Sequence, residues 1–283
     1  MRTTIFRVAA TLWANRKARA GLSILFVFAA VAVLAPLLAP YSPTATNFAR
    51  SAPASWSHPL GTTGSGQDAL SQLLYGTRIS LFVGFGAGLA ATIVAMLVGV
   101  VAGYARGPIE VILGFATNLF LVIPGLPLMI VLAAYLPTRG VGTILVVVSV
   151  TGWAWGARVL RSQTATLAAR EFVAAARLAG EGIWRIVWHE IVPNMVSLLA
   201  ASFFGASTAA VLAEAGLEFL GLGNPSTISW GTMLFWAQNS NALLTGQWAL
   251  LVAPGLCIAL LASAMSLVNF GIDAIGNPRL RER

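Results

Sequence analysis

Residues 79–104 read ISLFVGFGAGLAATIVAMLVGVVAGY, an uncharged stretch held between Arg78 and Arg106. A helix rising 1.5 Å per residue needs about 20 apolar residues to cross a hydrocarbon layer about 30 Å thick, so this stretch is long enough to span a bilayer. Five more uncharged runs surround it: Gly21 to Ala39, Val111 to Leu136, Val141 to Ala157, Pro193 to Ala213 and Trp248 to Phe270. The whole chain shares their character. Of 283 residues, 58% are hydrophobic and 9% charged, and the mean hydropathy is +0.82, where a soluble domain has about a quarter of its residues charged. That composition excludes a soluble enzyme, a disordered chain and a free nucleic-acid binder. It predicts an all-α integral membrane protein with six transmembrane helices.

The net charge of +8 is then a question of sides. With a cytoplasmic amino terminus, one side of the membrane holds Arg2, Arg7, Arg16, Lys17, Arg19, Arg106, Arg158, Arg161, Arg170, Arg177, Arg185, Arg279, Arg281 and Arg283, and the other holds only Arg50, Arg78 and Arg139. The positive-inside rule places both termini in the cytoplasm. The chain divides into a cytoplasmic segment 1–20, a first transmembrane helix 21–39, an extracytoplasmic loop 40–77, a core of five helices over 78–273 and a cytoplasmic tail 274–283. The core contains a cytoplasmic segment 158–192 and an outer loop 221–247. Arg16, Lys17 and Arg19 precede the first run as in a secretory signal, but the run is longer than a signal's apolar region and reads as a retained anchor.

Within the spans, ionisable side chains are missing where a proton- or ion-coupled carrier would need one. Glu110 and Asp273 fall at cytoplasmic ends. Glu214 and Glu218, about 30 Å of helix beyond Pro193, read as interfacial. The glycine pairs Gly84/Gly88 and Gly99/Gly103 have the four-residue spacing that lets helices approach closely in lipid. They fit either ordinary packing or a bundle that rocks. Pro124 and Pro127 should kink the third span. Cys257 is the one cysteine and excludes an internal disulfide. The tryptophans, among them Trp153, Trp155, Trp230, Trp236 and Trp248, fit interfacial belts.

Segment 158–192 is too long for a simple connection. Residues 158–181 read as an Ala-rich helix, Gly180 and Gly182 break it, a short amphipathic turn carries Ile183, Trp184, Ile186, Val187 and Trp188, and Pro193 is placed to open span five. Small, apolar and basic faces together suit a docking element for a cytoplasmic partner.

Ala174-Ala175-Ala176-Arg177-Leu178-Ala179-Gly180, with Ile191-Val192-Pro193-Asn194 following, resembles the EAA loop of ABC-importer permease subunits. Ala174 stands where the family has its glutamate, which Glu171 or Glu181 could replace, and Glu190 stands at the first Ile of the I-x-L-P ending. The stretch His58-Pro59-Leu60-Gly61-Thr62 with Gly66-Gln67-Asp68, then Leu73-Leu74-Tyr75-Gly76-Thr77-Arg78, resembles the segment before the second span of C-type permeases of dipeptide, oligopeptide and nickel importers, with Gln67 at a usual Arg. Glu214, Phe219-Leu220-Gly221-Leu222-Gly223 and Ser229-Trp230-Gly231 resemble the same group's exit from span five. The resemblance covers nearly the whole chain.

It implies the type I ABC-importer permease fold in a bacterial inner membrane and import of short peptides. Implied partners are a homologous second permease subunit in a heterodimer, two ATP-binding subunits holding ATP and Mg, and an extracytoplasmic substrate-binding protein. Ala174 to Gly180, Ile191 and Pro193 would couple to the ATPases; His58, Gly61, Asp68 and Trp230 would face the binding protein. No catalytic residue, metal site or bound cofactor is expected in the chain, since no Walker motif occurs, Gly61, Gly64 and Gly66 precede no Lys-Ser/Thr, and His58 and His189 lie on opposite sides. Alternatives are a permease for nickel or another small solute and, in a different class, a stand-alone carrier or channel.

Overall fold

A computed structural model describes residues 15–276, and every regular element among them is helical. Residues 1–14 and 277–283 lie outside the described residues, with Arg2, Arg7, Arg279, Arg281 and Arg283, as does the side chain of Asp273. The α-helices are α1 (Arg16–Leu38), α2 (Ala69–Tyr104), α3 (Pro108–Val122), α4 (Gly125–Tyr135), α5 (Val141–Gly152), α6 (Ala154–Ala168), α7 (Glu171–Leu178), α8 (Val196–Phe219), α9 (Trp230–Asn239) and α10 (Ala249–Gly276). Five helical runs are long and apolar enough to cross a membrane: α1, α2, α5 with α6, Ile183–Phe219, and Ala249–Ile272 within α10.

The sixth expected span is bent through 94° between α3 and α4, far beyond a kink. Two prolines explain it. Pro124 forces Ile123 out of helical geometry into extended backbone (ψ 127°) and ends α3. Pro127 then falls in the first turn of α4, where its missing N–H has no intrahelical acceptor to lose, so a new helix starts in a new direction.

Three other boundaries differ from the sequence reading. The second span starts at Ala69, inside the supposed outer loop, because Asp68 caps it by accepting from the Ser71 N–H at 2.8 Å. The segment 221–247, expected as an outer loop, contains α9. Residues 158–181 form two helices, since Ala169 and Arg170 leave helical pairing between α6 and α7.

Pro193 opens no separate α-helix; it sits in the first turn of the 3-10 helix Val192–Met195, inside the helical run Ile183–Phe219. A proline there cannot donate to the carbonyl of His189, and the run accommodates it by widening to a π-helical turn over Ile186–Ile191 and tightening to a 3-10 turn over Val192–Met195.

Helix α2 is the centre of the bundle, packed along α8 and α6 and touching α1, α3 and α5; α10 joins α8 to α1. The glycine pairs set these contacts. Gly84 and Gly88 lie against Val211 and Ser207 of α8. A Cβ on Gly99 would stand 2.6 Å from the Ala157 carbonyl oxygen and one on Gly103 2.5 Å from that of Arg161, both on α6. Each four-residue spacing thus seats one helix. Phe26, Val33, Leu37, Phe82, Ile112 and Phe115 stay exposed, as apolar side chains can where the solvent is lipid.

Candidate functional site

Functional features gather at the two ends of α2. At one end, α7 buries Val173 and half-buries Ala176 in a core with Leu160, Ile186, Ile191 and Met195. Its opposite face presents Ala174, Ala175, Leu178 and Ala179. Leu178 is 90% exposed, a large apolar side chain left largely uncovered by the described residues.

The face ends in a Schellman motif. The Gly180 N–H donates to the Arg177 carbonyl at 3.0 Å and the Glu181 N–H to the Ala176 carbonyl at 3.1 Å, which requires the left-handed backbone (φ +81°) that glycine adopts without strain. Nothing lies within 4 Å of a Cβ built on Gly180. The turn therefore needs glycine for conformation and not for internal space.

Arg177 turns inward to α2: its Nε donates to the Tyr104 hydroxyl at 3.2 Å and its guanidinium lies 5.1 Å from that ring's centroid. Of the two glutamates able to replace the missing one, Glu181 faces Arg185 at 3.5 Å, while Glu171 is exposed at the start of α7. Ile191 is fully buried among the core residues and supports the segment from beneath; it offers a partner no contact. Pro193 is exposed.

At the other end of α2, His58 and Asp68 meet at 2.9 Å, and Asp68 also accepts from the Ser71 N–H and hydroxyl at 2.8 and 2.7 Å. Tyr41 and Phe48 pack against the His58 ring and each other in tilted and edge-on contacts, with ring centroids 4.6 to 5.1 Å apart. Gly61 is buried at φ +77°, with the Ala52 carbonyl oxygen 2.6 Å from where its Cβ would be.

The second outer element is a hairpin formed by the end of α8 and α9. Gly221 closes α8 with the same motif found at Gly180: its N–H donates to Glu218 and that of Leu222 to Leu217. Ser229 and Thr232 form a reciprocal capping box that starts α9. Trp230 is fully buried, donates from Nε1 to the Leu73 carbonyl at 3.2 Å and meets Phe28 edge-on at 5.4 Å. Gly231 lets α9 lie against α8, since a Cβ there would stand 2.8 Å from that of Glu218.

Asp68, Gly61 and Trp230 are buried within the chain. Burial assigns them to scaffolding: one caps α2, one turns the loop and one fills the space between α1 and α2. His58 keeps 14% of its side chain exposed and is held by Asp68. Trp230 and Trp153 are core residues and not belt residues, whereas Trp155, Trp236 and Trp248 remain exposed.

Glu214 and Glu218 are enclosed by protein and not by headgroups. Glu214 approaches the Ser80 hydroxyl at 3.5 Å, Glu218 accepts from the Ser229 hydroxyl, and both carboxyls are buried.

Exposed on this side are Trp56, wholly free, and Leu244 at 87%. A cavity of about 230 Å³ lies between the 63–72 segment and α9, lined by Thr63, Gln67, Gln72, Met233, Trp236 and Asn239 among others. Of these residues only Gln67 and Trp236 are singled out by the sequence analysis, neither as part of a cavity. The signal was available in Trp56, a lone aromatic in a polar loop. Among the described residues, no group of three His, Cys, Asp or Glu side chains is placed to hold a metal ion.

Residues 95–282 match the family described as binding-protein-dependent transport system inner membrane component, and residues 6–54 match the N-terminal TM domain of oligopeptide transport permease C. The dipeptide transport system permease protein of Bacillus subtilis is 34% identical over 271 residues, covering 94% of this chain and 83% of that protein. The protein of that name in Haemophilus influenzae is 33% identical over 278 residues, covering 95% and 92%. The oligopeptide transport system permease protein of Bacillus subtilis is 30% identical, covering 95% and 87%. With one family model matching about two thirds of the chain, a second matching its N-terminal span, and helices of membrane-spanning length throughout, this chain belongs to the binding-protein-dependent transport system inner membrane component family and is a multi-pass inner-membrane permease subunit of an ABC importer.

Proposed function

We propose that the chain is one of two homologous permease subunits, each of six spans with cytoplasmic termini, that carry short peptides into the cell. Two ATP-binding subunits holding ATP and Mg dock on the cytoplasmic segment 158–192, and an extracytoplasmic binding protein delivers peptide to the 40–77 and 221–247 surfaces. The chain itself binds no cofactor. The peptide class rests on the names of the dipeptide and oligopeptide permeases to which the chain is similar. The domain division given by the charge pattern, 21–39 for the first span and 78–273 for the core, belongs to the same reading.

The observation that carries the coupling role is the unpartnered face of α7. Ala174, Ala175, Leu178 and Ala179 allow another protein to approach the backbone closely, and Gly180 turns the chain away sharply between two membrane-length runs. Peptide import then requires the inward- and outward-facing states to differ in their affinity for ATP and for peptide. Bound ATP holds the ATPases closed on α7 and its neighbours and reorients the cavity.

Affinity purification of the chain from its own cells in mild detergent, with mass spectrometry of what accompanies it, tests this reading. Two ATPases and a homologous permease are expected. A lone chain or a homo-oligomer, recovered in several detergents, would return the stand-alone carrier or channel to the front.

A further inference from the structure

Where α2 ends, two recesses lie on either side of Tyr104. One is a largely apolar cavity of about 680 Å³ walled by Val100, Val101, Ile109, Ile183, Trp184 and Val187, with the Glu181 carboxylate also in its lining; the other is a smaller, polar pocket of about 190 Å³ reaching Glu110. Both are bordered by Tyr104, Ala105, Arg106 and Arg177. The larger is within the roughly 300–1,000 Å³ typical of ligand sites.

Charge bookkeeping around them is uneven. Glu110 is paired with Arg161 at 2.8 Å and Glu181 with Arg185 at 3.5 Å. Arg106 and Arg177 have no carboxylate partner among the described residues, and Tyr104 holds the Arg177 guanidinium in place. Ile109, Ile183 and Trp184 are exposed at 54%, 62% and 69%, so the apolar wall opens to the surroundings. Two unneutralised guanidiniums at the mouth of an apolar recess match an amphiphile carrying one negative head and a hydrocarbon tail. A tryptophan at the rim is common where protein meets the membrane interface.

We propose that this recess binds an anionic phospholipid of the leaflet beside the coupling segment, its phosphodiester between Arg106 and Arg177 and an acyl chain along Val100, Val101 and Ile109. Basic pockets between membrane helices are where anionic headgroups bind. A free phosphate would satisfy the arginines and leave the apolar wall uncovered. The lipid would contact α2 and α7 at once, and so would be part of the joint between bundle and coupling segment. The inference uses the proposed orientation only to name the leaflet as cytoplasmic.

The test is native mass spectrometry of the purified complex, first exchanged into phosphatidylcholine and then titrated with phosphatidylglycerol. Phosphatidylglycerol is expected to bind this chain in preference to phosphatidylcholine and to resist displacement by inorganic phosphate. Arg106→Gln should weaken it about fivefold, equivalent to about 1 kcal/mol for one basic residue near an anionic surface. Val101→Trp, which fills the apolar recess and leaves the charges, should weaken it too. Equal phosphatidylglycerol binding in wild type and both variants overturns the proposal. Displacement by inorganic phosphate with no effect of Val101→Trp overturns it in favour of a free-anion site. Loss of the lipid on assembly with the ATPases overturns it in favour of a partner subunit filling the groove. Subunits and lipid are counted in the same spectrum, so an intact importer lacking lipid refutes this inference alone.

Discussion

Replacing Gly180 separates the two roles, backbone turn and docking surface, that the proposed function gives to segment 158–192. Its backbone is left-handed (φ +81°), and its Cβ position is empty to 4 Å. Alanine there clashes with no atom of the described residues, so its cost is conformational: about 1–2 kcal/mol for an L residue in left-handed geometry. If docking needs the Schellman turn intact, that energy reduces ATPase affinity by a factor of about 5–30. Asparagine tolerates the same backbone and should fall between glycine and alanine. Tryptophan adds the backbone cost and a large side chain in the space a docked ATPase would fill, so it should abolish coupling. The assay is peptide-stimulated ATP hydrolysis by the reconstituted complex, with co-purification stoichiometry measured on the same preparations. Unchanged stimulated hydrolysis in Gly180→Trp would refute the assignment of this surface to the ATPase. Alanine and asparagine behaving alike would show that the left-handed turn carries no weight.

Gly99→Leu should lower stability by at least the 1–3 kcal/mol typical of overpacking, since a Cβ alone already stands 2.6 Å from the Ala157 carbonyl oxygen; Gly205→Ala, with open space, is the control, and thermal unfolding in detergent reads both. Trp230→Ala removes a fully buried side chain and should cost about 3–5 kcal/mol, with protease cleavage in 221–247 as its local signature. Asp68→Ala removes a helix cap together with the partner of His58 and should cost about 1–2 kcal/mol in the same unfolding assay, most of it recovered in Asp68→Asn. Arg161→Ala breaks its pair with Glu110, but both side chains are more than a third exposed, so the loss should stay below about 1 kcal/mol.

The spans were legible because lipid forbids charges along about 20 residues, and a run such as 79–104 cannot be hidden by tertiary context. The glycine pairs were legible too, because a four-residue spacing addresses one helix face. What failed is what depends on residues far apart in the chain. Trp230 reads as an interfacial tryptophan until Leu73, 157 residues away, supplies the acceptor for its indole. Glu214 reads as interfacial until Ser80, 134 residues away, is found beside it. Asp68 was visible as a polar residue in a motif, yet the exposed Arg78 suggested that the helix began after it. The arginine instead lies on a stretch of α2 that continues outward beyond the uncharged run. Pro124 and Pro127 announced an irregularity; the 94° bend needed the position of each proline relative to its own helix end.

Helix α2 ties the two ends of the molecule together. Its 36 residues form one unbroken helix about 54 Å long at 1.5 Å per residue. Near its outer end the carbonyl of Leu73 accepts from Trp230, Gly76 fits beneath Ser229, and Ser80 donates toward Glu214, so the α8–α9 hairpin is fastened to it. Its last residue, Tyr104, holds Arg177 of α7. Between these points Gly84 and Gly88 press on α8, and Gly99 and Gly103 press on α6. A displacement of α7 that keeps the Arg177–Tyr104 contact acts on the same rod that carries the outer hairpin. The break between α3 and α4, by contrast, separates a helix paired to α6 through Arg161 and Glu110 from one that runs off at 94° to it.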